Sequence, residues 1–482
     1  MTGRARDADR GRADGRMLLG LAVRTLGSFP SGWRHPGAHH DPADDPAALR
    51  RLAKEAERAH LDYLFFGDRL ATDLDLERTD PSQLGRTDPL STVSHLAAVT
   101  RRIGLVATVN TSYSDPATVA RAAASIDRLS GGRLGLNLAV GTEPGADANH
   151  RPTAPDDGRH DVAEEYLEVL TGLWRSWGDG AVVADQRSGV LIDRRQVSAL
   201  HHRGPRFAVA GPALVPRPPQ GRVPVVHTDR SPRARMFAAR NAELLLSAPA
   251  TMEEGVETVR RARLAVATEG REPGDLRVVA SLFPIVAERR EDAWALYDRL
   301  VQLVTVVSLE PGEAGSAEIR RVLGVPLLDR GLDDSVPPGD AARFNSTGQR
   351  LLAVVRSRSG RTPGGARPVD YRHLLVAHRV PTPLVVGSAL DVADHVETWF
   401  RAGAADGFTV QSAFLHEQVE AFTRGVVPLL EQRGLLGAGT GSRPGSRTLR
   451  GRLGTRPPAR EPRAPQPATA VSAFDGVIGL YP

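Results

Sequence analysis

Cysteine is missing from all 482 residues, which excludes disulfides, thiolate zinc sites and cysteine nucleophiles. Lysine is nearly missing too. Lys54 stands alone, so almost every one of the 62 basic residues is arginine. Together with 48 glycines and 36 prolines, this reads as a GC-rich coding bias. The formal net charge of +5 therefore does not point to nucleic acid, because 57 acidic residues are interleaved with the arginines. Long apolar runs are also lacking, and none approaches the roughly 20 residues of a membrane span. "MLLGLAVRTLG" (17–27) follows an arginine-rich start, yet its apolar part is too short for a signal peptide and no small-residue cleavage site follows. It reads as a strand. These exclusions predict a cytoplasmic protein that contacts neither membrane nor nucleic acid.

What is present is a rhythm. Short apolar runs at Leu18–Arg24, Tyr63–Phe66, Ile103–Val109, Leu134–Val140, Val223–His227, Leu244–Ser247, Val278–Phe283 and Phe408–Gln411 alternate with helical patterns. Three helix starts share one device. "DDPAALRRLAKEAERAH", "TDPLSTVSHLAAVTRR" and "SDPATVARAAASIDRLSGG" each set Asp before Pro, an N-cap acceptor followed by a preset φ. Eight strands in β-helix alternation predict an α/β chain folded as a (β/α)8 TIM barrel over residues 17–436. The spacing also predicts long insertions after strands 4 and 7, at about 141–222 and 284–385, with helices near Val162–Trp174 and Asp292–Val304. Residues 1–16 are charged and featureless, and 437–482 are rich in Arg, Pro and Gly; both read as disordered ends.

In such a barrel the chemistry sits at the C-terminal ends of the strands. Asp68 leaves "YLFFG" for the mouth, and Thr108 and Asn110 end the third strand. Trp33, His35, His39 and His40 follow the first strand and read as lining for a substrate pocket. The three histidines match no compact zinc spacing, so no metal is expected. "HTDRSP" (227–232) starts a helix at the mouth, where N-terminal amides with Ser231 and Arg230 make an anion corner. No nucleophile elbow, dinucleotide fingerprint or phosphate loop occurs.

Several blocks resemble one family. "GLVATVNTSYSDPATVARAAASIDRLSGGRLGLNLAV" (104–140), "SGWRHPGA" (31–38) and "HHRGPRFAVAGPALVPRPPQGRVPVV" (201–226) look like the bacterial-luciferase-like flavin-dependent monooxygenases, specifically the nitrilotriacetate, dibenzothiophene-sulfone and pristinamycin-type group. With the "VVGSALDVADHVETWFRAGAADGFTV" block (385–410), the likeness covers about residues 17–458.

The resemblance implies a two-component monooxygenase. A separate NAD(P)H:flavin reductase would supply reduced FMN, and this chain would use it with O2 to oxygenate a small organic substrate, xenobiotic-like or a secondary metabolite. It also implies a homo-oligomer, dimer or tetramer. In that group flavin contacts fall on the positions of Asp68 and Thr108, and Ser231 matches the second serine of the phosphate-binding turn. Asp156 and His160 stand where relatives carry His-x-x-x-Tyr, and "HTDRS" replaces Gln-Ala-Gly-Ser-Ser. Carboxylates at Asp156 and Asp229 repel a dianionic phosphate wherever they face it, and Arg230 is placed to offset them. Two other readings stay open: a deazaflavin-dependent oxidoreductase, and a catalytically silent paralogue.

Overall fold

The computed structural model describes residues 15–41, 45–72, 86–141, 145–150, 158–304, 314–325, 331–380, 382–436 and 447–457. Nine strands form the main sheet: β1 Leu18–Ala22, β2 Tyr63–Phe66, β3 Gly104–Asn110, β4 Leu134–Ala139, β5 Val225–Thr228, β6 Leu244–Ser247, β7 Arg277–Ala287, β8 Leu384–Ser388 and β9 Gly407–Gln411. Parallel pairing runs β6-β5-β4-β3-β2-β1-β9-β7, and β6 pairs with β7 to close an eight-stranded barrel. Their near-continuous apolar runs are what strands buried on both faces require. The predicted strands differ from these by a few residues at their ends.

Among the helices that frame the barrel are α1 Pro46–Arg58, α2 Pro89–Ala97, α3 Pro116–Leu129, α4 Arg159–Arg175, α5 Pro232–Asn241, α6 Met252–Thr268, α7 Arg290–Leu303, α8 Ala314–Leu323, α9 Ser346–Ser359, α10 Tyr371–Arg379, α11 Ala389–Arg401 and α12 Leu449–Leu453. The Asp-Pro device works as expected. Asp45, Asp88 and Asp115 accept the backbone N–H of Ala47, Ser91 and Thr118, and proline takes the first helical position each time. The largest core packs the outer faces of the strands against the helices.

The long interruption after β4 carries α4 and two short antiparallel hairpins. The one after β7 carries α7 to α10 and builds a second core around Phe29, Phe283, Tyr297, Tyr371 and Phe414. Here the boundaries differ from expectation. β7 continues through Pro284 to Ala287, and Phe283–Ala287 pairs in parallel with β8, a strand that the sequence rhythm does not predict. Pro284 reads as a break, yet proline is tolerated in a strand that changes partner, and β7 leaves β9 after Leu282.

The N-terminal end of the barrel is closed by part of the stretch read as a tail. Leu449 and Leu453 of α12 join Leu18, Tyr63, Val106, Val226, Leu244 and Val279 in the barrel interior. Gly104 and Gly135 make room for Leu449: a methyl on either would fall 2.5 or 2.6 Å from its δ carbons. Arg450 donates to the Gln220 carbonyl and pairs with fully buried Glu243, 2.9 Å away. Gln220, from the "PRPPQG" block, also donates to Asp127, so this block fastens the floor. Above it Tyr63 of β2 reaches past β1 to Thr409 of β9, their hydroxyls 2.6 Å apart, and Thr409 lines the mouth.

Candidate active site

A cleft of about 1020 Å³ opens at the C-terminal ends of the strands. Its walls include Asp68, Thr108, His160, Arg230 and Ser231, so five residues singled out from the sequence meet in one cavity. Asp156 lies outside the described residues. Trp33 and His35 are not among the residues lining this cavity, to which their loop gives Ser28. Trp33 lies on the surface, and the His35 ring stacks on Phe414 with centroids 4.5 Å apart. The reason is anchoring. Phe29 is buried in the second core, and Ser31 and Arg34 donate to the Leu300 and Leu303 carbonyls at the end of α7. This part of the loop is therefore held against the insertion, while the end of β1 and the start of the loop give the cavity Ala22, Val23, Arg24 and Ser28.

The wall formed by β3, β4 and β5 carries polar groups inside apolar strands. Thr108 accepts a hydrogen bond from the Asn137 amide at 3.0 Å, and Asn137 Oδ1 is buried without a partner. His227 Nδ1 lies 2.8 Å from the Leu138 carbonyl, so it carries the proton and Nε2 is left as an acceptor. That Nε2 is likewise buried without a partner. Burial, helped by the charge of Arg230 and by His160, lowers the His227 pKa to about 4, so the ring is neutral at neutral pH. His160, in the first turn of α4, is also lowered, first by burial and then by Arg233. Asn137 and His227 both line the cavity, and a buried acceptor without a partner calls for an N–H or O–H donor.

The fourth strand-end feature is the start of α5. Ser231 is its N-cap, its hydroxyl accepting from Ala234 N, and Pro232 sets the first turn. The adjacent carboxylate is neutralised. Asp229 is almost buried and receives three bonds of 2.9 to 3.1 Å from the Arg235 guanidinium, one turn into the helix. Arg230 is exposed, lines the cavity, and has no ion pair among the described residues. The corner thus offers a helix N-terminus, a hydroxyl and a guanidinium, with its carboxylate already engaged. Together with the two orphan acceptors in a cavity of this size, it fits a flavin mononucleotide. Asn137, His227, Arg24, Arg69, Arg86 and Arg379 also line the cavity and were not singled out as ligand contacts from the sequence. Asn137 and His227 carried a usable signal, a lone polar residue in an apolar strand; the arginines carried none.

Comparison with known proteins agrees. The luciferase-like monooxygenase family model matches residues 28–406. An N-acetyl-S-(2-succino)cysteine monooxygenase of Bacillus subtilis is 32% identical over 86% of this chain and 92% of its own. Nitrilotriacetate monooxygenase component A of Aminobacter aminovorans is 30% identical over 88% and 94%. A solved structure of a riboflavin lyase, with modified FMN and the substrate riboflavin, superposes with a TM-score of 0.72 at 27% identity, covering 92% of this chain and 97% of that one. No helix among the described residues is long and apolar enough to cross a membrane. A closed parallel barrel, an anion corner after β5 and relatives that span the chain lead to one assignment: this chain belongs to the luciferase-like monooxygenases and is a flavin-dependent monooxygenase.

Proposed function

We propose that this chain is the oxygenase component of a two-component system, taking reduced FMN from a separate NAD(P)H:flavin reductase and oxygenating a small organic substrate with O2. The observation that carries this reading is the corner at the start of α5, where Arg235 engages Asp229 and leaves Arg230 and Ser231 to an anion. In this reading Arg230, the Ser231 hydroxyl and the first turn of α5 hold the flavin phosphate. Thr108 positions Asn137, whose Oδ1 accepts from a flavin donor, as does His227 Nε2. Asp68, Asp156 and neutral His160 complete the contacts. Reduced FMN, when bound, supplies the two electrons that activate O2, one oxygen passing to the substrate and the other to water. The protein's own part is to position both molecules and exclude water, with Tyr63 and Thr409 sealing the base.

The test is anaerobic titration of the full chain with reduced FMN, riboflavin and a reduced deazaflavin, followed by rapid mixing with O2-saturated buffer. FMN is expected to bind more tightly than riboflavin, and Arg230→Ala is expected to remove about tenfold of that preference. Deazaflavin binding without FMN binding would transfer the reading to hydride transfer. No binding of any of the three below millimolar concentration would leave a silent paralogue.

A further inference from the structure

Two helices begin beside the cavity. α5 starts at the anion corner, and α4 starts at Arg159, so that His160 of its first turn lines the same cavity as Arg230 and Ser231. The two helices are tied together. Asp161 lies 3.9 Å from Arg233, and Glu164 accepts from Arg240 and Asn241, each at 2.9 Å. His227, 3% exposed and with Nε2 unpartnered, also lines the cavity and feels the charges of His160 and Arg230. His160 therefore shares its part of the cavity with a buried acceptor, a guanidinium and the N-termini of two helices.

In the free protein these surroundings keep the His160 ring neutral. Burial and the Arg233 guanidinium of α5 disfavour its protonated form, and Asp161 and Glu164 on its own helix favour it to a smaller extent. His227 reaches it from β5 and is itself neutral at neutral pH, while Arg230 stands at the turn into α5. Asp156 lies outside the described residues. The His160 ring has no hydrogen-bond partner among the described residues.

A phosphate monoester reverses this balance. It carries close to two negative charges, and a dianion about 8 Å away, at an effective dielectric near 20, favours the imidazolium well over tenfold before salt screening. Arginine cannot respond in this way, because its proton does not leave in the working range. Imidazole can, and the imidazolium presents two N–H donors where the neutral ring presents one.

Resting on the flavin reading for the phosphate, we propose that His160 takes up a proton from solvent as that phosphate enters the corner, so that FMN binds more tightly as pH falls and riboflavin does not. Affinity gains up to about tenfold per pH unit while the bound ring is charged and the free ring is not. Below that window both are charged and the gain stops.

The test is anaerobic calorimetry of the full chain with reduced FMN and reduced riboflavin, from pH 8 to 6.5, in buffers of different ionisation enthalpy. The phosphate stays largely dianionic over this range, and the shared ring makes riboflavin the control for protons gained or lost by the flavin itself. Proton uptake with FMN should exceed that with riboflavin by up to one proton, and His160→Gln should abolish the excess. His160→Tyr keeps a hydroxyl for the phosphate but no proton site in this range, so it should bind FMN with an affinity that changes less than about twofold. FMN binding without excess uptake, or an excess that persists in His160→Gln, would overturn the proposal and leave the flavin reading standing. Absence of FMN binding at every pH would remove both.

Discussion

Arg235→Met should damage flavin phosphate binding without touching the flavin site. In the native chain Asp229 is 6% exposed in its side chain and saturates the Arg235 fork, with bonds of 2.9 to 3.1 Å. Removing Arg235 leaves that carboxylate nearly buried and unpaired. A fully buried pair broken in this way costs about 3–5 kcal/mol. Arg235 is 21% exposed, so water can reach the gap and a cost just below that range, about 2–3 kcal/mol of folding stability, is expected. The second effect is on the ligand. A bare carboxylate about 8 Å from a phosphate, at an effective dielectric near 20, repels each unit of its charge by about 2 kcal/mol before salt screening. FMN affinity should therefore fall about 30-fold or more at low salt, while riboflavin, which lacks the phosphate, should be unaffected.

Denaturant melts and paired FMN and riboflavin titrations read the two effects. The double variant Asp229→Asn/Arg235→Met should restore both to within about 1 kcal/mol, since a neutral pair has neither the buried charge nor the repulsion. The reasoning is refuted if Arg235→Met binds FMN as the native chain does, or loses riboflavin equally. It is also refuted if Asp229→Asn alone improves FMN binding as much as the double variant recovers it, because Asp229 would then be facing the phosphate unshielded.

Other perturbations test other parts. His227 has its folded pKa lowered to about 4, so the unfolded chain takes up this proton first; stability present above pH ~6.5 is lost as pH falls towards 4, by about 3 kcal/mol at most. His227→Gln should flatten that part of the pH–stability curve relative to the native chain, and an unchanged slope would refute it. Leu449→Ala empties a fully buried position in the barrel floor and should cost about 2–5 kcal/mol in denaturant melts, with FMN binding to the folded fraction unchanged. Trp33→Ala and His35→Ala should leave FMN affinity within about twofold, because neither residue lines the cavity; a larger loss would bring these two side chains into the site.

The barrel was legible because its signals are local. An Asp-Pro start needs only its own residues, and Asp45, Asp88 and Asp115 cap in the structure as the chemistry requires. What escaped depends on distant partners. β8 exists because the second half of β7 departs from β9 and accepts it. α12 is an ordered helix because Gly104 and Gly135, over 300 positions earlier, leave space for Leu449. Nothing within "SRTLRGRLG" announces that space.

The site divides in the same way. Trp33 and His35 follow a strand whose end does reach the mouth, so position alone favoured them; Phe29, earlier in the same loop, binds the insertion core and carries both away. Asp229 looked hostile to a phosphate because its neighbours in sequence are Thr228 and Arg230, whereas the group that answers it is Arg235, six residues on and one helical turn inside α5. Asn137 shows the same division: a lone polar residue in an apolar strand is visible in the sequence, but that it lines the cavity beside Thr108 follows only from the closed barrel. The corner at the start of α5 can be read from one turn of one helix, while the rest of the cavity wall is assembled from strands far apart in sequence.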